Sequence, residues 1–168
     1  MAGPKIAKEL QRTLRNAFER AGRDRHEYVT LEHLLVALLD DPRASKAIES
    51  CGGNRERLRQ KLEAFIEVSA VRVPGTGTIE PQQTMAVERV LQRAAIHAIS
   101  SEISVIDGAN VLVQVFKEDD SQAVYLLQQE GISPFDLKQF ISHGVAKQGP
   151  GDELTGPRRE SSGDEEDD

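Results

Sequence analysis

The sequence has no tryptophan, a single cysteine and few aromatic residues, and each shortage excludes a class of function. Aromatic residues make up 4% of the 168 positions, so base-stacking platforms and aromatic cages have little material. One cysteine, Cys51, excludes an internal disulfide framework and a cysteine-based zinc site, and we interpret it as a structural thiol. No apolar run approaches the roughly 20 residues of a membrane span, and residues 1–8 lack the apolar stretch of a secretory signal. These absences favour a soluble cytoplasmic protein whose partners are other proteins.

Acidic residues outnumber basic ones, and the excess lies near the C-terminus. The chain carries 28 Asp and Glu against 21 Lys and Arg, a formal net charge of −7, which argues against binding to a nucleic-acid backbone. Residues 152–168 hold eight acids and two arginines, so the preceding body is close to neutral. Because residues 148–168 are almost devoid of apolar side chains, we expect them to form a disordered linker or tail.

Apolar residues recur at steps of three and four through the first half of the chain, which predicts four helices. The first covers about residues 5–22. Thr30 can cap a second, very apolar helix that we expect to be buried and to end before Pro42. A short third helix covers about 44–51, and the fourth carries the stripe that begins at Leu58.

The second half repeats this pattern after a stretch without helical periodicity. Residues 70–83 contain prolines, glycines and threonines and predict a connecting loop. A fifth helix carries an apolar stripe over 87–98, Asp107 can cap a sixth, and a seventh covers 121–129. Ser133, followed by proline, is typical of the start of a last helix. The spacing therefore predicts eight helices.

The two halves match each other at a nearly constant offset. A shift of 77 places Thr30 on Asp107, and a shift of 79 later places Leu58 on Leu137. With two copies and one short linker, we expect an all-α fold in which two four-helix units are related by a pseudo-twofold axis. The expected domain is 1–147, with repeat one over about 5–69, the loop over 70–83 and repeat two over about 84–146.

No motif of catalysis stands out. The chain lacks a P-loop, a GxGxxG sequence after a strand and an HExxH sequence. A site of histidine and carboxylate ligands around His26 and His33 is sterically conceivable, whereas surface and capping roles are their ordinary interpretation. We interpret His97, on the fifth helix, as half-buried. We therefore expect no catalytic residue, no cofactor and no bound metal.

The sequence His26-Glu27-Tyr28, followed by Glu32-His33, surrounds the entrance of the second helix. The helix dipole accounts for a carboxylate in the first turn such as Glu32, but not for Glu27. We expect both acids to be exposed, where with the two histidines they could receive a cationic patch of another protein. The cluster predicts a protein-docking surface.

Several stretches resemble one known family. They are HEYVTLEHLLVALLDDP (26–42), CGG (51–53), LRQKLEAFIE (58–67), RVLQRAAIHA (89–98), GANVLVQVF (108–116), SQAVYLLQQEGIS (121–133) and FISHG (140–144). Together, over about residues 8–146, they resemble the N-terminal domain of ClpA unfoldases more than that of the related ClpB and ClpC proteins. The resemblance implies a tandem four-helix architecture without catalytic activity.

In that family the domain precedes two AAA+ ATPase rings and docks the ClpS adaptor, which delivers N-degron substrates to ClpAP. The resemblance implies ClpS and unfolded or degron-bearing proteins as partners, but neither nucleic acid nor membrane. It also implies a monomeric isolated domain and a hexameric parent unfoldase that works with ClpP. By the same resemblance, Glu27 and Glu32 match acidic positions that contact ClpS, with His26 beside them. Thr84 and Arg89 match positions near the same surface.

Two departures leave alternatives open. Pro134 stands where family members can show a basic residue, which changes one expected charge contact. No ATPase module follows in this sequence, so unfolding activity would lie outside it. A stand-alone protein that regulates by sequestering ClpS or substrates is therefore the second hypothesis, and a metal-dependent enzyme using His26 is the third.

Overall fold

The computed structural model of the protein describes residues 3–143. Over these residues the chain forms eight helices and four strands of two residues each. The tail expected over 148–168 lies outside the described residues, as does the end of the second repeat. In chain order the elements are β1 Lys5–Ile6, α1 Lys8–Arg23, β2 Tyr28–Val29, α2 Leu31–Leu38, α3 Pro42–Ser50, α4 Arg55–Ser69, β3 Gln82–Gln83, α5 Met85–Ser100, β4 Val105–Ile106, α6 Gly108–Val115, α7 Gln122–Gln129 and α8 Pro134–His143.

Polar side chains cap the N-termini of seven of these helices, which explains why the helix starts could be located in the sequence. Each capping oxygen accepts a hydrogen bond from a backbone N–H of the first turn, worth about 1 kcal/mol. The caps are Thr30, Asp41, Asn54, Thr84, Asp107, Ser121 and Ser133. Helix α1 starts at Lys8, three residues later than expected, because Lys5 and Ile6 belong to a strand.

The two halves contain the same elements in the same order, so the predicted repeat is confirmed. Helices α5 and α6 begin and end 77 residues after α1 and α2, and α8 begins 79 residues after α4. The tandem pair of four-helix units therefore rests on matching element boundaries as well as on matching residue types.

The strands pair between the halves, which the sequence analysis did not predict. Strand β1 pairs with β4 and β2 with β3, both in parallel. Lys5 lies opposite Val105, and Tyr28 lies opposite Gln82, so the offset of 77 turns one pair into the other. Two-residue strands are too short for alternation to be visible, and β3 lies in the stretch expected to be only a loop.

One continuous apolar core joins the two halves. Seven of the eight residues of α2 and seven of the eight of α6 are buried, and the two helices contact each other. Helix α2 also packs on α1, α4 and α7, while α6 packs on α3, α5 and α8. The expected burial of α2, and that of Cys51, is confirmed. Among helices within residues 3–143, none has the length and apolar character to cross a membrane.

An ion pair between the halves supplements this core. The buried carboxylate of Glu130 accepts hydrogen bonds from the Arg57 guanidinium at 2.7 and 2.8 Å and from the Asn54 N–H at 2.8 Å. The hydrogen bonds from Arg57 favour the charged form and lower the pKa of Glu130. This contact links the start of α4 to the end of α7.

Candidate protein-docking surface

Glu27 lies on the middle one of three extended stretches at the entrance of α2. Its N–H donates to the carbonyl of Val71 at 2.8 Å, and its own carbonyl accepts from the Gln82 N–H at 3.0 Å. The Thr84 N–H donates to the carbonyl of Val29 at 3.1 Å. Because the backbone is bonded on both sides, the half-buried Glu27 side chain projects from a rigid support.

Exposed apolar side chains adjoin Glu27 along these stretches. Tyr28 and Val71 are exposed, as is Met85 at the first position of α5. The sequence analysis placed Tyr28 in the cluster but missed Val71 and Met85. For Met85 the available signal was its position off the buried stripe that starts at Val87. We call the patch formed by Glu27, Tyr28, Val71, Thr84 and Met85 the β2 surface.

Glu32 is buried, so the expectation that it is exposed was wrong. Its Oε2 accepts a hydrogen bond from the Ala123 N–H at 2.9 Å, in the first turn of α7. A carboxylate at a helix N-terminus meets unsatisfied N–H groups and a favourable dipole, which together compensate its burial. Glu32 therefore joins the start of α2 to α7 of the other half instead of pointing into solvent.

The two histidines are buried as well and form a pair, which corrects the expectation of surface side chains. His26 Nδ1 lies 2.9 Å from His33 Nε2. The Thr30 N–H donates to His33 Nδ1 at 3.1 Å, so the capping role of His33 is confirmed. A neutral His33 then carries its proton on Nε2 and donates it to His26 Nδ1. His26 in turn carries a proton on Nε2, and this buried N–H finds no partner within residues 3–143.

The surroundings keep both histidines neutral. Burial lowers the pKa of His33 from 6.5 to about 4, and the neighbouring His26 lowers it further. Burial, assisted by the charge of Arg72, also lowers the pKa of His26. His97, expected to be half-buried, is exposed. Nowhere in residues 3–143 do three or more His, Cys, Asp or Glu side chains form a group that could hold a metal ion.

Thr84 and Arg89 border the same helix entrance. Thr84 caps α5 and is half-buried, and its backbone bond to Val29 brings it beside β2. Arg89 is exposed, and its guanidinium binds both carboxylate oxygens of Glu118, at 2.6 and 3.2 Å. Leu31, the first residue of α2, lines a groove together with Arg89. The structure therefore brings the five expected site residues around one helix entrance, with His26 and Glu32 beneath the surface.

The described residues form a rigid helical repeat with a charged and apolar edge and without converging catalytic groups, which is the character of a binding domain. The family described as the Clp repeat (R) N-terminal domain matches residues 5–130, and the chain belongs to this family.

The chain is 41% identical over 145 residues to a ClpA homolog protein from Fuscovulum blasticum, and 26% identical over 140 residues to the chaperone protein ClpB from Rhizobium meliloti (strain 1021). These matches cover 86% and 82% of this chain but 18% and 16% of the relatives. The chain thus spans less than a fifth of the length of the curated relatives it matches.

Solved structures share the fold at low sequence identity. The N-domain of ClpV from Vibrio cholerae aligns with a TM-score of 0.66 at 20% identity, covering 82% of this chain and 83% of that one. A complex of the ClpV N-domain with a VipB peptide gives 0.65 at 21%, covering 83% and 86%. The Hsp104 N-terminal domain from Candida albicans gives 0.65 at 15%, covering 94% and 96%. The predicted helical architecture, similar to Clp N-domains, is confirmed.

Proposed function

We propose that this chain is the adaptor- and substrate-docking domain of a cytoplasmic ClpA-type unfoldase and that it binds the ClpS adaptor through the β2 surface. The 41% identity to a ClpA homolog supports the ClpA type. The observation that carries the site is Glu27, a carboxylate fixed on a doubly bonded strand among exposed apolar side chains. In this proposal ClpS brings N-degron substrates to ClpAP, and unfolding is the work of the ATPase rings of a parent hexamer.

The geometry of the β2 surface suits such an interface. Because the backbone on both sides of Glu27 is already ordered, docking requires little additional loss of conformational entropy. The carboxylate can accept charge-assisted hydrogen bonds from a Lys or Arg of the partner. Tyr28, Val71 and Met85 provide apolar area that excludes water around this contact.

We assign different roles to the five residues expected from the sequence. Glu27 makes the charged contact, while Arg89, held by Glu118, forms part of the rim. Thr84 joins β3 to α5. His26 and Glu32 act from beneath, because each is buried and bonded within the domain.

Titration calorimetry with the cognate ClpS tests this proposal. We expect Glu27→Lys to weaken binding by about tenfold or more, because the substitution turns an attraction into a repulsion. The matched control is Glu9→Lys, an exposed acid in the first turn of α1, at the end of that helix opposite β2.

Circular dichroism establishes that both variants are folded. Equal binding by the parent and Glu27→Lys would place the ClpS site elsewhere, and absence of binding by the parent would exclude ClpS docking. Equal weakening by Glu9→Lys would show that overall charge, not the β2 surface, governs binding.

A further inference from the structure

The chain leaves α1 and α5 through turns with the same backbone geometry. Arg25 and Glu102, 77 residues apart, both adopt left-handed backbone conformations, with φ of 57° and 58°. The His26 N–H then donates to the carbonyl of Ala21 at 2.9 Å, and the Ile103 N–H makes the same bond five residues back at 2.8 Å. The two turns are therefore copies that should present equivalent backbone edges.

In the first half, a further stretch of chain covers the outer edge. Residues 71–73 run antiparallel beside it. The Glu27 N–H donates to the carbonyl of Val71, and the Val73 N–H donates to the carbonyl of Arg25, both at 2.8 Å. The Arg25 guanidinium secures this stretch through hydrogen bonds to four carbonyls of the 73–77 loop.

In the second half, the equivalent edge is open. The offset of 77 places Ser104 and Glu102 at the positions of Glu27 and Arg25. The Ser104 carbonyl accepts from the Lys5 N–H at 2.9 Å on the inner side. On the outer side, the exposed Ser104 N–H and Glu102 carbonyl have no hydrogen-bond partner within the part of the chain that the structure describes.

An apolar groove of about 690 Å³ follows this edge. Its lining includes Pro4, Ala98, Ile99, Ile103 and Val105. The side chains of Ile99 and Val105 are 64% and 49% exposed, which leaves aliphatic surface beside the unpaired backbone groups. An open strand edge next to exposed aliphatic surface favours the addition of another strand.

The chain's own sequence supplies a poor strand for this edge. The offset of 79 between α4 and α8 matches Val71 and Val73 to Pro150 and Asp152, with Gly151 between them. Proline and glycine are depleted in strands, and neither Gly151 nor Asp152 offers an aliphatic side chain to the groove. The chemistry of the edge therefore suits a segment of a different polypeptide.

We propose that the edge formed by residues 102–105 binds an extended aliphatic segment of a partner polypeptide by antiparallel strand addition. The Ser104 N–H donates to a carbonyl of the partner, and the Glu102 carbonyl accepts from an N–H two residues further along it, as Arg25 does from Val73. Aliphatic side chains at alternate positions of the segment pack on Ile99 and Val105. This site is separate from the β2 surface and does not depend on ClpS binding.

The probe is a synthetic peptide, acetylated and amidated, with the sequence of residues 69–75, Ser-Ala-Val-Arg-Val-Pro-Gly, which covers the equivalent edge in the first half. It is titrated into the ¹⁵N-labelled 168-residue chain while amide resonances are followed by NMR. We expect saturable shifts at Ser104 and its neighbours. A control peptide with serine at both valine positions should bind at least about fivefold more weakly because it lacks the aliphatic contacts.

Two protein variants separate strand addition from simple apolar contact. Ser104→Pro removes the donor and should weaken binding by about fivefold, the effect of one hydrogen bond, whereas Ser104→Ala should bind as the parent does. Ile99→Lys, a change at an exposed position, should weaken binding as well, which keeps the test valid if the proline variant fails to fold.

Unchanged affinity of a folded Ser104→Pro variant, or shifts confined to the β2 surface, would overturn the proposal. A third outcome would overturn it in favour of the chain's own C-terminal segment. In that case, the Ser104 amide would be protected from hydrogen exchange in the full chain and would lose this protection when residues 148–168 are removed.

Discussion

At the residue scale, the buried pair of His26 and His33 makes the stability of the protein depend on pH. Because the folded state lowers the pKa of both histidines, the unfolded chain binds more protons between the folded and unfolded values. The free energy of unfolding should therefore rise with pH from about 4 to about 6.5 and level off above that range. For His33 alone, the shift from 6.5 to about 4 corresponds to about 3 kcal/mol.

Urea unfolding at a series of pH values measures this dependence. His97→Gln is the control, because His97 is exposed and its replacement should leave the slope unchanged. In His33→Gln the slope over this range should decrease even if the variant is less stable at neutral pH. A parent protein whose stability is constant between pH 4 and 6.5 would contradict the buried neutral pair.

The residues of the expected site show which properties could be predicted from sequence. The motif located Glu27, Glu32 and His26 around one helix entrance, and the structure places them there. Their exposure could not be predicted, because it depends on neighbours distant in the sequence. The Ala123 N–H that binds Glu32 lies 91 residues away, and nothing in the local pattern around Glu32 indicates it.

At the scale of elements, Glu32 connects two helices that belong to different halves. Glu32→Ala should lower the free energy of unfolding by about 2 kcal/mol, because the N-terminus of α7 loses a charged, buried hydrogen-bond partner. Glu32→Gln keeps an acceptor oxygen and should recover part of this loss. Thermal or urea unfolding of the three proteins gives the comparison.

The same variants distinguish positioning by Glu32 from direct contact with ClpS. If Glu32 acts from beneath, a folded Glu32→Gln variant should bind ClpS nearly as well as the parent. Parental stability combined with lost ClpS binding would show that Glu32 contacts the adaptor itself.

Helices and strands differed in how well the sequence predicted them. Helix starts were visible because caps such as Thr30 and Asp107 and the apolar stripes that follow are local features. Strands of two residues carry no periodic signal, and they exist only because a partner strand from the other half lies beside them. The open edge at residues 102–105 was invisible for the same reason.

At the scale of the whole molecule, the two halves meet at a close contact between Asp41 and Gly108. The buried Asp41 carboxylate accepts hydrogen bonds from the Thr13 hydroxyl at 2.9 Å and from the Ala44 N–H at 3.0 Å. A Cβ atom at Gly108 would collide with this carboxylate. Because those hydrogen bonds fix Asp41, relief of the collision would break the cap of α3.

Gly108→Ala should therefore lower the free energy of unfolding by about 2 kcal/mol or more, although alanine is the better helix former. Gly3→Ala is the control, since a Cβ there meets no atom within 4 Å. Chemical unfolding of both variants provides the test. A Gly108→Ala protein as stable as the parent would show that the two halves can separate locally without loss.

The sequence by itself determined the helices, their caps and their duplication, because each depends on residues within a few positions or on a simple offset. The tertiary structure alone decided which side chains face solvent, how the strands exchange between halves and which edge remains open. Those properties arise where residues far apart in the chain meet, as Glu32 meets Ala123 and Lys5 meets Ser104. Burial and backbone pairing are properties of such meetings, whereas periodicity is a property of the chain.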